Sequence, residues 1–141
     1  MLGEAADFFS ERLTVAPVLA VLRGHDPHSS VQVAEVCWNA GVELVEVSLS
    51  HDRALEAVTA VCRRAAELGR VAGAETVCTA GEVRAAAETG ASFVVTPGLA
   101  RDAVEAARHG ESSLSSGSRD ALGDASGARA RLPHAQALPS T

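Results

Sequence analysis

Lysine is absent from this chain. The combined count of lysine and arginine is 12, and all 12 residues are arginines. A Schiff base forms only from an unprotonated primary amine, and an arginine guanidinium stays charged in any protein environment. The 141 residues therefore offer no side chain for Schiff-base chemistry.

A basic surface and a membrane-length apolar run are also lacking. The formal net charge is -6 and the pI is about 5.3, which argues against a nucleic-acid partner, because phosphate binding needs clustered positive charge. The first seven residues carry acids where a secretory signal needs a basic segment, and no later stretch is long enough to cross a bilayer. We expect a cytoplasmic protein with no membrane partner.

Metal and disulfide patterns are missing as well. The three cysteines are odd in number and widely spaced, with no C-x-x-C pair. His25 and His28 are three residues apart, but Pro27 lies between them and predicts a turn rather than a helix face. We expect no metal and no cofactor.

A hydrophobic content of 47% with 21% charged residues is ordinary for one globular domain.

The first 110 residues alternate between strand and helix patterns. Apolar, β-branched runs predict strands, and glycines end the helical patterns between them. Such alternation predicts a parallel sheet with right-handed crossovers, and the pattern alone leaves a barrel and an open flavodoxin-like sheet as alternatives. The predicted elements are helix 4–13, strand 15–22, loop 23–30, helix 31–39, strand 42–50, helix 54–68, strand 70–74, helix 79–89 with a capping box at Thr79 and Glu82, strand 92–96 and helix 100–109.

The character of the chain changes after Gly110. Residues 111–141 contain seven serines and no valine, isoleucine or aromatic residue. Such a segment buries too little apolar surface to offset the entropy of ordering it. We predict a folded domain over 1–110 and a disordered tail over 111–141.

Candidate site residues are those at the carboxyl ends of the predicted strands, where parallel βα folds bind ligands. Glu46 interrupts an apolar strand that both faces should bury, and a buried carboxylate is costly unless it has a partner. A proton-transfer role would fit this position. A structural carboxylate that pairs with Arg23 or faces solvent fits equally well.

Four segments at the strand ends resemble successive segments of the 2-keto-3-deoxy-6-phosphogluconate (KDPG) and 4-hydroxy-2-oxoglutarate (KHG) aldolases, in that family's order and spacing. The resemblance covers about residues 12–110 and implies an α/β fold of the (β/α) TIM-barrel type, here incomplete at about four βα units. The segments are VLAVLRG (18–24), AGVELVEVSL (40–49), GAETV (73–77) and GASFVVTPGL (90–99).

The resemblance implies retro-aldol cleavage of a 2-keto-3-deoxy-6-phospho sugar acid to pyruvate and an aldehyde, through a Schiff base on a sixth-strand lysine. Glu46 matches the family's proton-transferring glutamate, and Thr76 matches a threonine that binds the substrate carboxylate. Pro97 and Gly98 match a backbone segment lining the pocket, and Arg23 matches an arginine near it. Simpler roles are a strand cap for Thr76, a turn for Pro97 and a surface ion pair for Arg23.

Two positions depart from the family pattern. Ser50 stands where many relatives have arginine, and Glu75 stands where they have glycine. The choice among phosphogluconate, phosphogalactonate and unphosphorylated keto-acid substrates therefore stays open. The expected partner is a small keto acid, and the resemblance implies a homo-oligomer, a trimer in the family, if the barrel were complete.

The tail lacks the lysine-bearing segment that the family has. Read one base later, codons for residues 134–141 permit a Thr-Leu-Lys-Leu-Phe-Pro-Ala string, with the lysine between Gln136 and Ala137. We expect a frameshifted tail and an inactive, truncated chain, and a shifted frame without a lysine codon near Gln136 would rule the frameshift out. The alternatives are a half-barrel that binds pyruvate or a phosphosugar acid without turnover, and a fragment that completes a barrel with another chain.

Overall fold

The computed structural model describes residues 2–97, Ala106, Leu114–Ser115 and Ala128–Arg131. None of the helices in these ranges is long and apolar enough to span a membrane. The elements are α1 (Leu2–Val15), β1 (Leu19–Leu22), α2 (Pro27–Asn39), β2 (Leu44–Ser48), α3 (Ala54–Glu67), β3 (Val71–Glu75), α4 (Ala80–Glu88), β4 (Phe93–Thr96), β5 (Leu114–Ser115) and β6 (Ala128–Arg131).

The strands form one sheet in the order β1-β2-β3-β4-β6-β5. Strands β1 to β4 are mutually parallel and follow chain order, and α2, α3 and α4 connect them. The predicted parallel βα order is present. Strand β6 pairs antiparallel with β4, and β5 pairs antiparallel with β6.

Strand β1 begins four residues later than the predicted strand 15–22, which was wrong at its start. Helix α1 continues to Val15 and occupies that position instead. Pro17 explains the boundary, because a proline disfavours helical geometry at the residue before it. The apolar run therefore divides into the last turn of a helix and a short strand.

Helix α2 begins at Pro27, inside the segment predicted as loop, so the predicted start at residue 31 was wrong. The Asp26 carboxylate accepts hydrogen bonds from the Ser29 backbone nitrogen at 2.9 Å and from the Ser29 hydroxyl at 2.7 Å. An aspartate N-cap followed by proline in the first helical position is a strong helix start. At α4, the predicted capping box of Thr79 and Glu82 is present.

The main hydrophobic core lies between the sheet and α2, α3 and α4. Alternate strand residues point to this outer face, as the two-residue side-chain period of a strand requires. Trp38, the one tryptophan of the chain, is buried in this core. The strand residues in the core cluster are Ala20, Leu22, Val45, Val47, Ala72, Ala74 and Val94.

The other strand residues point to the inner face and form three layers. The first layer is apolar and packs with Phe8 and Phe9 of α1, which cover it. By strand register the first layer is Leu19, Leu44 and Val71, the second is Val21, Glu46, Gly73 and Phe93, and the third, nearest the carboxyl ends, is Ser48, Glu75 and Val95.

Gly73 leaves the space that the Phe93 ring fills in the second layer. A Cβ at residue 73 would lie 2.4 Å from the Phe93 ring, far inside van der Waals contact. The ring also packs edge-on against Phe9, with centroids 5.3 Å apart. Strand β3 therefore needs glycine here so that Phe93 can lie on the inner face beside Glu46.

Two predictions fall mostly outside the described residues. Of the predicted helix 100–109, the structure describes only Ala106, which is helical. Within the predicted tail 111–141 it describes only β5 and β6, which the composition did not predict. Backbone groups at the free edge of β4 explain the pairing with β6. The prediction of a disordered tail stays a prediction.

We predict that Gly73→Ala destabilises the fold by about 1–3 kcal/mol, the usual cost of overpacking a core. Gly81→Ala is the matched control, because its new Cβ would meet only the Thr79 hydroxyl oxygen at 3.8 Å. Alanine is the better helix former, so the control should leave stability unchanged or raise it by up to about 1 kcal/mol. Urea unfolding followed by Trp38 fluorescence measures both, and equal stability of the two variants would contradict the packing.

Candidate active site at the carboxyl ends of the strands

Glu46 lies in the middle of β2, on the inner face of the sheet. Its side chain belongs to the second layer, between Leu44 below and Ser48 above, and the residue is 3% exposed. Burial of a carboxylate in such surroundings must be offset by local polar contacts or by a functional role. Of the residues selected from the sequence, Glu46 is the most deeply buried in the described part of the chain.

Arg23 and Glu75 form an ion pair at the carboxyl end of the sheet. Nη2 of Arg23 lies 3.2 Å from both carboxylate oxygens of Glu75. Arg23 follows β1 directly and Glu75 ends β3, so the pair spans the end of β2. The structure therefore brings the predicted site arginine to Glu75, the acid that departs from the family pattern.

Three hydroxyl groups form a short hydrogen-bonded cluster beside this ion pair. Ser48 Oγ lies 3.1 Å from Thr76 Oγ1 and also donates to Ser50 Oγ at 3.1 Å. Ser48 is fully buried, whereas Ser50 is exposed. The cluster thus connects the buried third layer with the solvent-exposed end of β2.

Thr76 has a left-handed backbone, with φ of 62°. Strand alternation would turn its side chain away from the face that carries Glu75. The left-handed conformation instead accompanies a hydroxyl that reaches Ser48 on the inner face. For a β-branched residue this conformation is a true outlier, with a cost of order 1–3 kcal/mol, and such outliers concentrate at functional sites.

Pro97 follows β4 at the same end of the sheet and is exposed. Gly98, the other residue expected from that pair, lies outside the described residues. His25 and His28 belong to no group of three or more potential metal ligands within the part of the chain that the structure describes.

Sequence reasoning missed two features of this site. Ser48 was not selected, although its spacing of two from Glu46 places both side chains on one face of a strand. The partner of Arg23 was also missed, because pairing between residues 52 positions apart depends on strand register, which a local pattern does not contain.

The family resemblance is supported by direct comparison. The family model described as KDPG and KHG aldolase matches residues 9–123. The chain belongs to this family. Its four parallel strands and the helices around them match the TIM-barrel-type KDPG aldolases, and the barrel is incomplete over the described residues.

Individual relatives of the KDPG and KHG aldolase family agree with this assignment. The KHG/KDPG aldolase of Escherichia coli (strain K12) is 31% identical over 98 residues, which are 70% of this chain and 45% of that protein. The KDPG aldolase of Zymomonas mobilis ZM4, solved with 3-phosphoglycerate, is 32% identical with a TM-score of 0.65, over 76% of this chain and 50% of that one.

A third relative is the KDPG aldolase of Legionella pneumophila, whose structure captured pyruvate as a covalent carbinolamine intermediate. It is 26% identical with a TM-score of 0.61, over 67% of this chain and 45% of that one. The chain therefore spans about half the length of the KDPG and KHG aldolases that it matches.

We predict that Thr76→Gly is more stable than Thr76→Val by about 1–2 kcal/mol, because glycine adopts a left-handed backbone without steric cost and valine does not. Both variants lose the same hydroxyl, so their difference reports backbone strain, reduced by the side-chain packing and the unfolded-state entropy that count against glycine. Urea unfolding curves recorded with Trp38 fluorescence provide the comparison. A valine variant as stable as the glycine variant would contradict the prediction.

Proposed function

We propose that the inner face at the carboxyl ends of β1 to β4 serves the retro-aldol chemistry that the family resemblance implies. The substrate class is a 2-keto-3-deoxy sugar acid, cleaved to pyruvate and an aldehyde through a Schiff base. The capture of pyruvate as a carbinolamine in the Legionella relative supports this class of chemistry.

The observation that carries the proposal is the position of Glu46. An apolar layer lies below its carboxylate, and a polar layer containing Ser48 and Glu75 lies above it, toward the end of the strands. A carboxyl group held out of bulk water next to a ligand-binding edge is suited to move protons. Here Glu46 would supply and remove protons as the carbinolamine forms and as the carbon-carbon bond breaks.

Two further residues would hold the substrate. Thr76 presents its hydroxyl at the inner face, 3.1 Å from Ser48 Oγ, and can turn its hydrogen from Ser48 to a substrate carboxylate. The Arg23 guanidinium can attract an anionic group at the same edge. Pro97 and Gly98 are proposed to line the pocket through their backbone, as the resemblance implies.

No side chain among these 141 residues supplies the amine needed for the covalent step, since none is lysine. Without an iminium ion to accept the electron pair, the carbanion left by cleavage has no stabilising group. We infer that the 141-residue chain alone does not turn over substrate.

A second candidate function is binding of a keto acid without turnover. The hydroxyl cluster of Ser48, Ser50 and Thr76, together with Arg23, favours it, because these donors need no covalent partner to hold a carboxylate.

The cytoplasmic location and the trimeric homo-oligomer implied by the family stay predictions.

We predict that borohydride treatment of the purified 141-residue chain with pyruvate traps no adduct on any side chain, and that a coupled assay detects no pyruvate release from 2-keto-3-deoxy-6-phosphogluconate. The physical reason is the absence of a side-chain primary amine. Intact-mass and peptide mass spectrometry detect the adduct, and the Escherichia coli KHG/KDPG aldolase serves as the positive control. A trapped side chain or measurable turnover would refute the inference.

Calorimetry with pyruvate on the same sample separates the two candidate functions, because only the binding function requires saturable binding of pyruvate.

A further inference from the structure

The Arg23–Glu75 ion pair lies across the route to Glu46 from the carboxyl end of the sheet. Glu75 is in register with Ser48 in the third layer, one layer above Glu46. Arg23 continues the inner-face alternation of β1, two residues beyond Val21. A ligand that enters from the strand ends therefore meets this ion pair before it reaches Glu46.

The two partners differ in exposure. The Glu75 side chain is 16% exposed, and the Arg23 side chain is 63% exposed. An anion that drew Arg23 away would leave a largely buried carboxylate without its counter-charge, which is costly. Glu75 thus holds Arg23 in place and makes full transfer of the guanidinium to a ligand unfavourable.

Arg23 nevertheless keeps the capacity to bind a ligand. Both hydrogen bonds to Glu75 leave from Nη2, and guanidinium groups carry five N–H donors. A single ligand carboxylate can therefore share Arg23 with Glu75. A ligand with a second negative charge meets the Glu75 carboxylate. Arg53, in the loop after β2 at the same end of the sheet, is 62% exposed, and Glu56 already balances its charge at 3.0 Å. It therefore does little to offset the repulsion from Glu75.

We propose that Glu75 is a specificity-determining residue that favours monoanionic keto acids over ligands carrying an additional phosphate. The proposal rests on the proposed function, because it assigns the substrate class of the same site. It names unphosphorylated 2-keto acids with a single carboxylate as the preferred ligands of this edge.

The test compares the full 141-residue chain with Glu75→Gln and Glu75→Gly, both of which remove the charge. Glu43→Gln is the matched control, because Glu43 pairs with Arg70 at 3.6 Å at the opposite end of the strands. Phenylglyoxal modifies accessible arginines, and peptide mass spectrometry reports the rate at Arg23, with the exposed Arg84 as internal reference. Trp38 fluorescence verifies that each variant is folded.

Both Glu75 variants should raise the modification rate of Arg23 by about three- to tenfold, the range expected for loss of a partly exposed charged pair. The rate in Glu43→Gln should not change. Pyruvate and 3-phosphoglycerate then compete with the reagent. In the Glu75 variants, the 3-phosphoglycerate concentration that half-protects Arg23 should be about tenfold lower than in the parent chain. The half-protecting concentration of pyruvate should fall by about threefold or less. The two ligands should differ because the repulsion that is lost with Glu75 scales with ligand charge.

The proposal would be overturned if the half-protecting concentrations of the two ligands fell by the same factor. It would also be overturned if the modification rate of Arg23 did not change when the Glu75 charge is removed. Absence of protection by either ligand in the Glu75 variants would also overturn it. Saturable pyruvate binding in the calorimeter is measured separately, so a failure of Glu75 as a selective residue remains distinguishable from a failure of the site itself.

Discussion

The two-residue alternation of side chains along four in-register parallel strands is the constraint on which this structure depends. It sends one set of residues outward to the helices and the other inward, and it places Glu46 in the inner set between Leu44 and Ser48. A slip of one residue in β2 would move Glu46 into the apolar core beneath the helices, where a carboxylate is costly. Register, core packing and site geometry are therefore fixed together.

The layers along the inner face explain how an acidic residue is accommodated in a buried strand. Phe93 fills the space above Gly73 in the layer of Glu46, and the aromatic residues of α1 close the layer below. Apart from Glu46, the polar inner-face groups that the structure describes lie where the strands end, at the ion pair of Arg23 and Glu75 and at the hydroxyl cluster. The described part of the inner face is thus apolar at its base and polar at its mouth, an arrangement common in small-molecule sites.

The sequence predicted the features that local patterns encode. Apolar periodicity and glycine stops predicted the βα order, and the capping box at Thr79 was identified from two residues. The boundary between α1 and β1 was missed because one apolar run served both elements. The pairing of Arg23 with Glu75 and the left-handed Thr76 were missed because they depend on which strands are neighbours. Glu46 was recognised because an acidic residue inside an apolar strand pattern is apparent from the sequence alone.

A chimera would show whether Glu46 transfers protons in an aldolase site. Residues 9–97 of this chain would replace the corresponding segment of the Zymomonas mobilis KDPG aldolase, which supplies the remaining strands. We predict pyruvate release from the unphosphorylated 2-keto-3-deoxygluconate by the folded chimera, and a fall in kcat of about 10²- to 10⁴-fold with Glu46→Gln. Glu43→Gln, directly before β2, should change kcat little. Undiminished kcat in the Glu46→Gln chimera would contradict the proton-transfer role.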